Sequence, residues 1–323
     1  MDDVAQSDIR SYFGNYNNPY STNFEVGYRT ISHFFAGQGV DYYSFRIVFS
    51  IIMMLILWFV VSKISEYHAM SFFSFYSIFP FFVDTIQFRT MIASIFIVLA
   101  YQALIANHKV LVILLLLCGT LFQTLTIVFL LVIPLHILYS EKAFKSIKTL
   151  IYYVIIPMIG IFFVYLFGLM RVVVNLVATI SGRNDLVDAY TRLSSFRTGW
   201  DYILVYTIAF IIELVIIYTI YNDKKIYETH KDILKASAPF LIIGMYALPI
   251  IRFYTDINRF YRLSEIILFV LVTVYLTKEK TNNISIKNIM MFISTLILTI
   301  LSGYVFYRGS DFPHIVNILQ LNG

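Results

Sequence analysis

The chain has 323 residues, of which 59% are hydrophobic and only 13% are charged. Its mean hydropathy of +0.77 excludes an ordinary water-soluble domain, and it offers many apolar runs near the roughly 20 residues that a helix needs to cross a bilayer. The net charge of +5 comes from basic residues scattered between those runs, so no nucleic-acid partner is expected. We therefore predict one all-α, polytopic integral membrane domain over residues 1–323, surrounded by the lipid bilayer.

Apolar runs separated by charged residues predict about eight full transmembrane helices. The predicted spans are 46–62, 69–84, 90–106, 149–170, 201–221, 236–252, 260–276 and 288–306. Residues 110–139 would add a helix of about 45 Å, far longer than the roughly 30 Å of the bilayer core. Gly119 and Gln123 lie near its centre, so it is either one steeply tilted span or a broken, re-entrant helix pair. The choice sets the orientation of every later span.

Lysine and arginine separate along this topology. If 110–139 is a broken pair, all twelve lysines lie on one side of the membrane and all twelve arginines on the other. The positive-inside rule then makes the lysine side cytoplasmic and puts both termini outside. Arginines on the outer side are contrary to that rule. One explanation for their position is that the planar guanidinium binds phosphate or carboxylate groups. Neutralisation of the acidic residues on the same side is the alternative.

The first predicted external segment, residues 1–45, is an aromatic and polar loop. It carries Asp8, Arg10, Tyr12 and Tyr16, followed by the run Phe24-Glu25-Val26-Gly27-Tyr28. Aromatic faces beside charged groups suit sugar rings, although the same residues are typical of the membrane interface.

A second external segment covers residues 171–200 and includes Arg192 and Arg197. Its apolar residues 186, 190, 193 and 196 share one helical face, which predicts an amphipathic helix lying on the membrane surface.

Charged residues mark two further places at the predicted external ends of spans. Asp84, Gln87 and Arg89 lie between two adjacent spans, where Arg89 is placed to hold an anionic headgroup or, alternatively, snorkels to the interface. The second place is a turn and the start of the span that follows it, with Arg252, Asp256, Arg259, Arg262 and Glu265.

Two carboxylates fall within predicted spans. Glu213 lies in mid-span and Glu265 in the outer leaflet. Because a carboxylate in the bilayer is costly, each is either a functional group or half of a structural pair in the bundle.

The six histidines show no metal-ligand spacing, and no glycine loop of the kind that holds nucleotides occurs among the thirteen glycines. We therefore predict no metal and no cofactor. The chain also shows no convincing internal duplication, which weakens a secondary-transporter interpretation.

Three short stretches form a recognisable pattern. They are Asp8, Tyr12 and Tyr16 followed by a Glu-x-Gly at Glu25-Val26-Gly27; an Arg-x-x-x-Ala at Arg89-Thr90-Met91-Ile92-Ala93; and Phe122-Gln123 at the centre of 110–139. In this pattern the chain resembles the EpsG family of Wzy-type exopolysaccharide polymerases over most of its length.

The chain departs from that family in two places. The family usually reads Phe-His where this chain has Phe122-Gln123, so a proton-transfer role there is in doubt. The family also has a helix before the first external segment. That difference suggests a late start codon or a truncated reading frame, and a restored helix would put the amino terminus in the cytoplasm.

The resemblance implies a membrane glycosyltransferase. Such proteins join polyprenyl-pyrophosphate-linked oligosaccharide repeat units into exopolysaccharide, capsule or O-antigen at the outer face of the bacterial cytoplasmic membrane. Chain-length regulators and flippases are the further partners it implies. The reaction needs cations to stabilise the leaving pyrophosphate and a base to activate the acceptor hydroxyl.

For the base we expect Glu25 or Asp8, with Asp256 and Glu265 as the next candidates. The expected substrate contacts are Arg10, Arg89, Asp84, Gln87, Arg192, Arg197, Arg252, Arg259, Arg262, Tyr12 and Tyr16.

Two other functions remain open. A lipid-linked glycan flippase or transporter would share arginine-lined headgroup sites but should show a polar pathway through both leaflets, of which Glu213 is the only hint. A membrane acyltransferase that modifies the glycan would need a histidine-centred motif, which His33, His136 and His314 do not supply.

Overall fold

The computed structural model describes residues 4–18, 24–66, 68–78, 80–181, 187, 200–251, 258–277 and 285–308. Within these ranges every regular element is a helix, and no strand occurs. Seven helices in the described part are long and apolar enough to cross a membrane: Tyr42–Ile64, Phe88–Ile105, Ile147–Val164, Ile203–Tyr221, Lys231–Pro249, Arg259–Thr277 and Ile286–Gly303. The chain is therefore an all-α, multi-pass membrane protein, as predicted.

We number the α-helices along the chain. They are α1 (Val4–Asn17), α2 (Val26–Gly37), α3 (Tyr42–Ile64), α4 (Ala69–Tyr76), α5 (Pro80–Ile86), α6 (Phe88–Ile105), α7 (Lys109–Thr120), α8 (Val132–Leu138), α9 (Ile147–Leu150), α10 (Ile156–Leu166), α11 (Met170–Ser181), α12 (Trp200–Tyr221), α13 (Lys224–Thr229), α14 (Lys231–Ile251), α15 (Asn258–Thr277) and α16 (Ile286–Arg308). Short 3-10 helices cover Thr124–Leu131 and Ser140–Phe144, and a π-helical turn, Ile151–Ile155, joins α9 to α10.

The stretch 1–45, expected to be a loop, contains the two helices α1 and α2. The turn after α2 ends at Asp41, whose carboxylate accepts the backbone N–H groups of Tyr43 and Ser44, each at 3.0 Å. Aspartate at this position satisfies amides in the first turn of a helix that have no partner within the helix, so α3 begins here.

The predicted span 69–84 is wrong as a single helix. Its residues form α4 and α5, separated by a turn after Tyr76. Pro80 opens α5, and proline both lacks a backbone N–H and disfavours a helical conformation at the residue before it. Hydropathy cannot detect this break because the whole run is apolar.

The broken pair predicted over 110–139 is confirmed. Helix α7 ends at Thr120, and the second arm begins with the 3-10 helix at Thr124 and continues as α8. The last turn of α8 contacts the first turn of α14, where the ring of His136 donates to the Lys235 carbonyl at 3.2 Å. That carbonyl is available because Pro239 has no N–H to offer it.

The end of α6 meets the same region, since the Tyr101 hydroxyl donates to the Ile233 carbonyl at 3.2 Å. The segment enters beside the end of α6 and leaves beside the start of α14. Both arms therefore begin and end at the same end of the helix bundle.

Lysine and arginine occupy opposite ends of the bundle in the described residues. At one, which we call the lysine end, lie Lys63, Lys109, Lys142, Lys145, Lys148, Lys224, Lys225, Lys231, Lys235 and Lys287. The opposite, or arginine, end contains the starts of α3, α6 and α15, with Arg46, Arg89 and Arg262. The separation expected from the sequence thus holds for these ten lysines and three arginines.

Helix α15 is the most deeply buried of the membrane-crossing helices and packs closely on α14. At Gly244 the two backbones approach so closely that an added Cβ would lie 1.7 Å from the Ser264 hydroxyl. This glycine therefore allows α14 and α15 to pack closely at Ser264, beside Arg262 and Glu265.

Candidate functional site

An ion pair between Arg89 and Glu25 lies at the arginine end. Arg89, in the first turn of α6, donates from one terminal nitrogen to Glu25, and from Nε to the Tyr12 hydroxyl at 3.2 Å. The guanidinium also lies over the Phe24 ring, 4.2 Å from its centroid. The side chains keep only 13% and 6% of their exposure, so the pair is strongly held but still reaches the surface.

The second carboxylate oxygen of Glu25 accepts two bonds from Thr124. The backbone N–H donates at 3.2 Å and the hydroxyl at 3.0 Å. Thr124 is the first residue after the break in the re-entrant pair, where a backbone N–H has no partner within its helix. Glu25 therefore joins α6 to the break.

Gly27 fixes this arrangement from the other side. Its N–H donates to the Leu121 carbonyl at 2.8 Å, and a Cβ at this position would lie 2.7 Å from the same oxygen. The Glu-x-Gly pattern thus has a geometric cause: Glu25 binds one side of the break and Gly27 lets the backbone of α2 touch the other.

The remaining predicted stretches meet at the same place. The Phe122 ring stacks on Phe96, with centroids 5.7 Å apart, and Gln123 is buried beside it. Ala93, one turn below Arg89, is fully buried. The three stretches of the sequence pattern therefore form one structure, which we call the Glu25–Arg89 junction and which comprises Glu25, Gly27, Arg89, Phe122 and Thr124.

The family model described as the EpsG family matches residues 4–319. The chain belongs to the EpsG family. This confirms the resemblance seen in the sequence, and EpsG proteins are associated with polysaccharide polymerisation. No curated protein and no solved structure matches the chain.

A second ion pair lies on the other side of the start of α6 in this EpsG protein. Arg262, in the first turns of α15, pairs with Asp84 and donates to the Gln87 side-chain oxygen at 2.8 Å. The buried Tyr76 hydroxyl donates to the other oxygen of Asp84 at 2.7 Å. The structure thus brings three predicted residues together, and Tyr76 completes the group.

Glu265 follows Arg262 by one turn on α15. It is buried, and it accepts the Ser302 hydroxyl of α16 at 2.8 Å. Arg259 precedes Arg262 by one turn, at the same end of the bundle.

Tyr16 differs from the residues of the junction. Its hydroxyl donates to the Val40 carbonyl at 2.7 Å, and its ring packs against Phe45. Burial raises the pKa of the Tyr16 phenol, and also that of Tyr28 in the same aromatic cluster. In this arrangement Tyr16 ties α1 to the turn before α3.

Some predicted residues cannot be compared with the structure. Asp8 and Arg10 belong to α1, but their side chains are not among those described. Arg192, Arg197, Arg252 and Asp256, together with the amphipathic helix predicted around Tyr190, lie outside the described residues.

Sequence reasoning missed three members of these sites. The break in an apolar run indicated the position of Thr124. Nothing in the sequence indicated that Thr124 donates hydrogen bonds to a carboxylate. Tyr76 and Ser302 carry no sequence signal, because each lies on an ordinary apolar helix and gains its partner only through packing.

Proposed function

We propose that this EpsG protein polymerises polyprenyl-pyrophosphate-linked oligosaccharide repeat units at the outer face of the cytoplasmic membrane. The observation that supports this most directly is the Glu25–Arg89 junction, where all three stretches of the family pattern converge on one arginine and one carboxylate. A glycosyl transfer from a lipid pyrophosphate needs these two groups, one for the leaving group and one for the acceptor.

Arg89 is the proposed contact for the pyrophosphate. Its guanidinium already holds an oxyanion, that of Glu25, and two aromatic rings cover it. A pyrophosphate carries more charge than a carboxylate and fits the same planar fork, so it competes with Glu25 for Arg89.

Displacement of Glu25 gives the carboxylate its second role. Once Arg89 binds the pyrophosphate, Glu25 accepts the proton of the acceptor hydroxyl. That hydroxyl oxygen bonds to the anomeric carbon, the bond from this carbon to the phosphate oxygen breaks, and its electron pair leaves with the lipid pyrophosphate. Charge and protons balance, since Glu25 gains the proton that the hydroxyl loses.

The proposed orientation puts the arginine end outside and the lysine end in the cytoplasm. Lysines are excluded from the arginine end throughout the described residues, which is the asymmetry that the positive-inside rule describes. The junction then lies at the outer face, where lipid-linked repeat units are joined.

The deciding experiment reconstitutes the purified protein in liposomes with a lipid-linked repeat unit. The wild type should produce longer lipid-linked glycans, whereas Arg89→Ala should produce none while remaining in the membrane. Arg171→Ala, which removes an exposed arginine on α11, is the matched control and should polymerise normally. Equal polymer yields from the two variants would reject the role of Arg89. Transport of the repeat unit without elongation would identify a flippase, and acylated product an acyltransferase.

Glu25→Gln separates a base from a simple partner of Arg89. The amide keeps the shape but removes both the competing charge and the base. We expect lipid-pyrophosphate binding to be kept or strengthened while turnover falls by about 100-fold or more. Tighter binding with unchanged turnover would show that Glu25 competes with the pyrophosphate for Arg89 but does not act as the base.

The orientation is tested with cysteine labelling. In a Cys118→Ser background, cysteines replace Lys225 at the lysine end or Arg171 on α11. In intact cells with a permeable outer layer, a membrane-impermeant maleimide should label the cysteine at 171 and leave the one at 225 unlabelled until the membrane is opened. The reverse pattern would invert the topology.

A further inference from the structure

Glu213 is a buried acid that neither ion pair uses. It lies in the middle of α12, within the span Ile203–Tyr221, and is only 1% exposed. Among the described residues, neither of its carboxyl oxygens makes a hydrogen bond of ordinary geometry, although the Tyr261 hydroxyl is close enough to interact with it. An ionised carboxylate in this position would lack both water and a counter-charge, which is among the most costly arrangements in a membrane protein.

The groups that face Glu213 come from α15. They are the Tyr261 hydroxyl and the Glu265 carboxyl, which both interact electrostatically with it. Neither is a cation, so Glu213 has no ion-pair partner there. The Tyr261 hydroxyl is itself buried, and among the described residues it interacts with Glu213 without a hydrogen bond of ordinary geometry. Tyr206 lies on α12, the helix of Glu213. Its ring packs against the ring of Tyr261, with the two centroids 6.0 Å apart.

Glu265 has a different environment. The Ser302 hydroxyl donates to it at 2.8 Å, and it interacts with the Arg262–Asp84 pair one turn away. A hydroxyl donor and a nearby guanidinium both favour the ionised form of a carboxylate. Of the two acids, Glu265 is therefore the better place for a negative charge and Glu213 the better place for a proton.

We propose that Glu213 holds a proton in the membrane interior, and that Tyr261 and Glu265 connect this proton to the arginine end. The geometry supports the assignment in three ways. Two buried acids interact electrostatically, only Glu265 accepts a hydrogen bond of ordinary geometry, and the Tyr261 hydroxyl interacts with both acids. Protonation removes the charge of Glu213 outright and supplies an O–H donor for the acceptors beside it.

A transfer through Tyr261 conserves charge. The hydroxyl oxygen of Tyr261 accepts the proton of Glu213 while its own proton passes to Glu265. Glu213 becomes a carboxylate, Glu265 becomes a carboxylic acid, and the three side chains keep a total charge of minus one. From Glu265 the proton is one turn of α15 from the Arg262–Asp84 pair, at the end of the bundle where we place the polymerase site.

Infrared spectroscopy of the purified protein at neutral pH tests the first part without any polymerase assay. A protonated carboxylic acid has a carbonyl stretch apart from the amide band, and this stretch shifts in D₂O. The wild type should show such a band and Glu213→Gln should lose it. Asp41→Asn, which removes an exposed acid but keeps its capping oxygen, should leave the band in place. A band that survives in Glu213→Gln, or that is absent from the wild type, overturns the proposal.

Two further variants test the connection. Tyr261→Phe removes the intervening hydroxyl and Glu265→Gln the second acid, and each should shift the band without abolishing it. Loss of the band only in Glu265→Gln would put the proton on Glu265 and overturn the assignment. If Glu213→Gln does not fold, the shift in Tyr261→Phe decides, and an unmoved band counts against the connection.

A bound cation is the competing occupant. Replacing potassium with sodium at constant pH should leave the band unchanged, because a proton site does not respond to sodium. A band that disappears in sodium would show that a metal ion displaces the proton, which contradicts the proposal. A failure of polymerisation would affect neither result, so this inference and the proposed function can fail separately.

Discussion

The two arginine–carboxylate pairs at the start of α6 have the same chemistry in different surroundings. Arg89 and Glu25 keep 13% and 6% of their side-chain exposure, and Arg262 and Asp84 keep 12% and 8%. Burial and charge therefore do not distinguish them. The elements that each pair joins do distinguish them.

The Arg262–Asp84 pair lies within the bundle. It ties α15 to α5, which packs against α6 and α16, and the fully buried Tyr76 at the end of α4 donates to the same Asp84. The Arg89–Glu25 pair instead joins α6 to α2 and to the break after α7, two short elements outside the long spans. An ion pair between such elements can open without unpacking the bundle, whereas one in the core cannot. We therefore expect the Arg89–Glu25 pair to serve binding and the Arg262–Asp84 pair to serve stability.

The largest effect that tests this contrast is the loss of stability in Arg262→Ala. Removing one partner leaves Asp84 as an uncompensated buried charge, which costs about 3 kcal/mol or more. Thermal unfolding in detergent should show a clear drop for this variant and a smaller one for Arg89→Ala.

The double variant Arg262→Leu with Asp84→Leu is the control for that experiment, since it removes both charges and should recover much of the stability. If Arg89→Ala proves the less stable of the two single variants, the contrast between the pairs is wrong.

A smaller effect is expected from Gly27→Ala. The added Cβ would lie 2.7 Å from the Leu121 carbonyl oxygen, so α2 must move away from the break and Glu25 moves with it. Overpacking of this kind costs about 1 to 3 kcal/mol, and here it should fall mainly on the junction. We expect reduced polymer formation with the membrane bundle intact.

The matched control is Gly37→Ala in the same helix, where an added Cβ meets nothing within 4 Å. It should polymerise like the wild type. Normal activity of Gly27→Ala would show that the close contact between α2 and the break is not needed.

The smallest effect concerns Asp41, which starts α3 beside the same segment. Hydrogen bonds from the Ser44 hydroxyl and N–H hold the pKa of the Asp41 carboxyl below its usual range. A lowered folded pKa means that the stabilisation is present above the ordinary aspartate pKa and is lost as the pH falls through the lowered value. Amide exchange at Tyr43 and Ser44 should be faster in Asp41→Ala than in the wild type at neutral pH.

This difference should shrink in acid, and Asp41→Asn should protect the amides nearly as well as the wild type because asparagine also caps helices. Equal exchange in Asp41→Ala and the wild type at neutral pH would show that the cap contributes nothing.

The candidate site was partly predictable. Arg89 and Glu25 were each expected from residue type and from the family pattern, but their pairing was not, because they are 64 positions apart. Thr124 is 99 positions from Glu25, and no local pattern indicates that its N–H faces a carboxylate. The break before Pro80 was present in the sequence but was concealed by an apolar run that looks like one span.

The sequence by itself determined the class of the protein, its helical spans apart from 69–84, and the separation of lysine from arginine within each half of the chain. These follow from the cost of placing charge and unpaired backbone groups in a bilayer, which acts on each segment separately. Only the tertiary structure decided that 110–139 returns to the end it enters from. It alone showed which carboxylate meets which guanidinium, and that the buried Glu213 makes no hydrogen bond of ordinary geometry among the described residues. Those outcomes depend on contacts between distant segments, and such contacts exist only after the helices have packed.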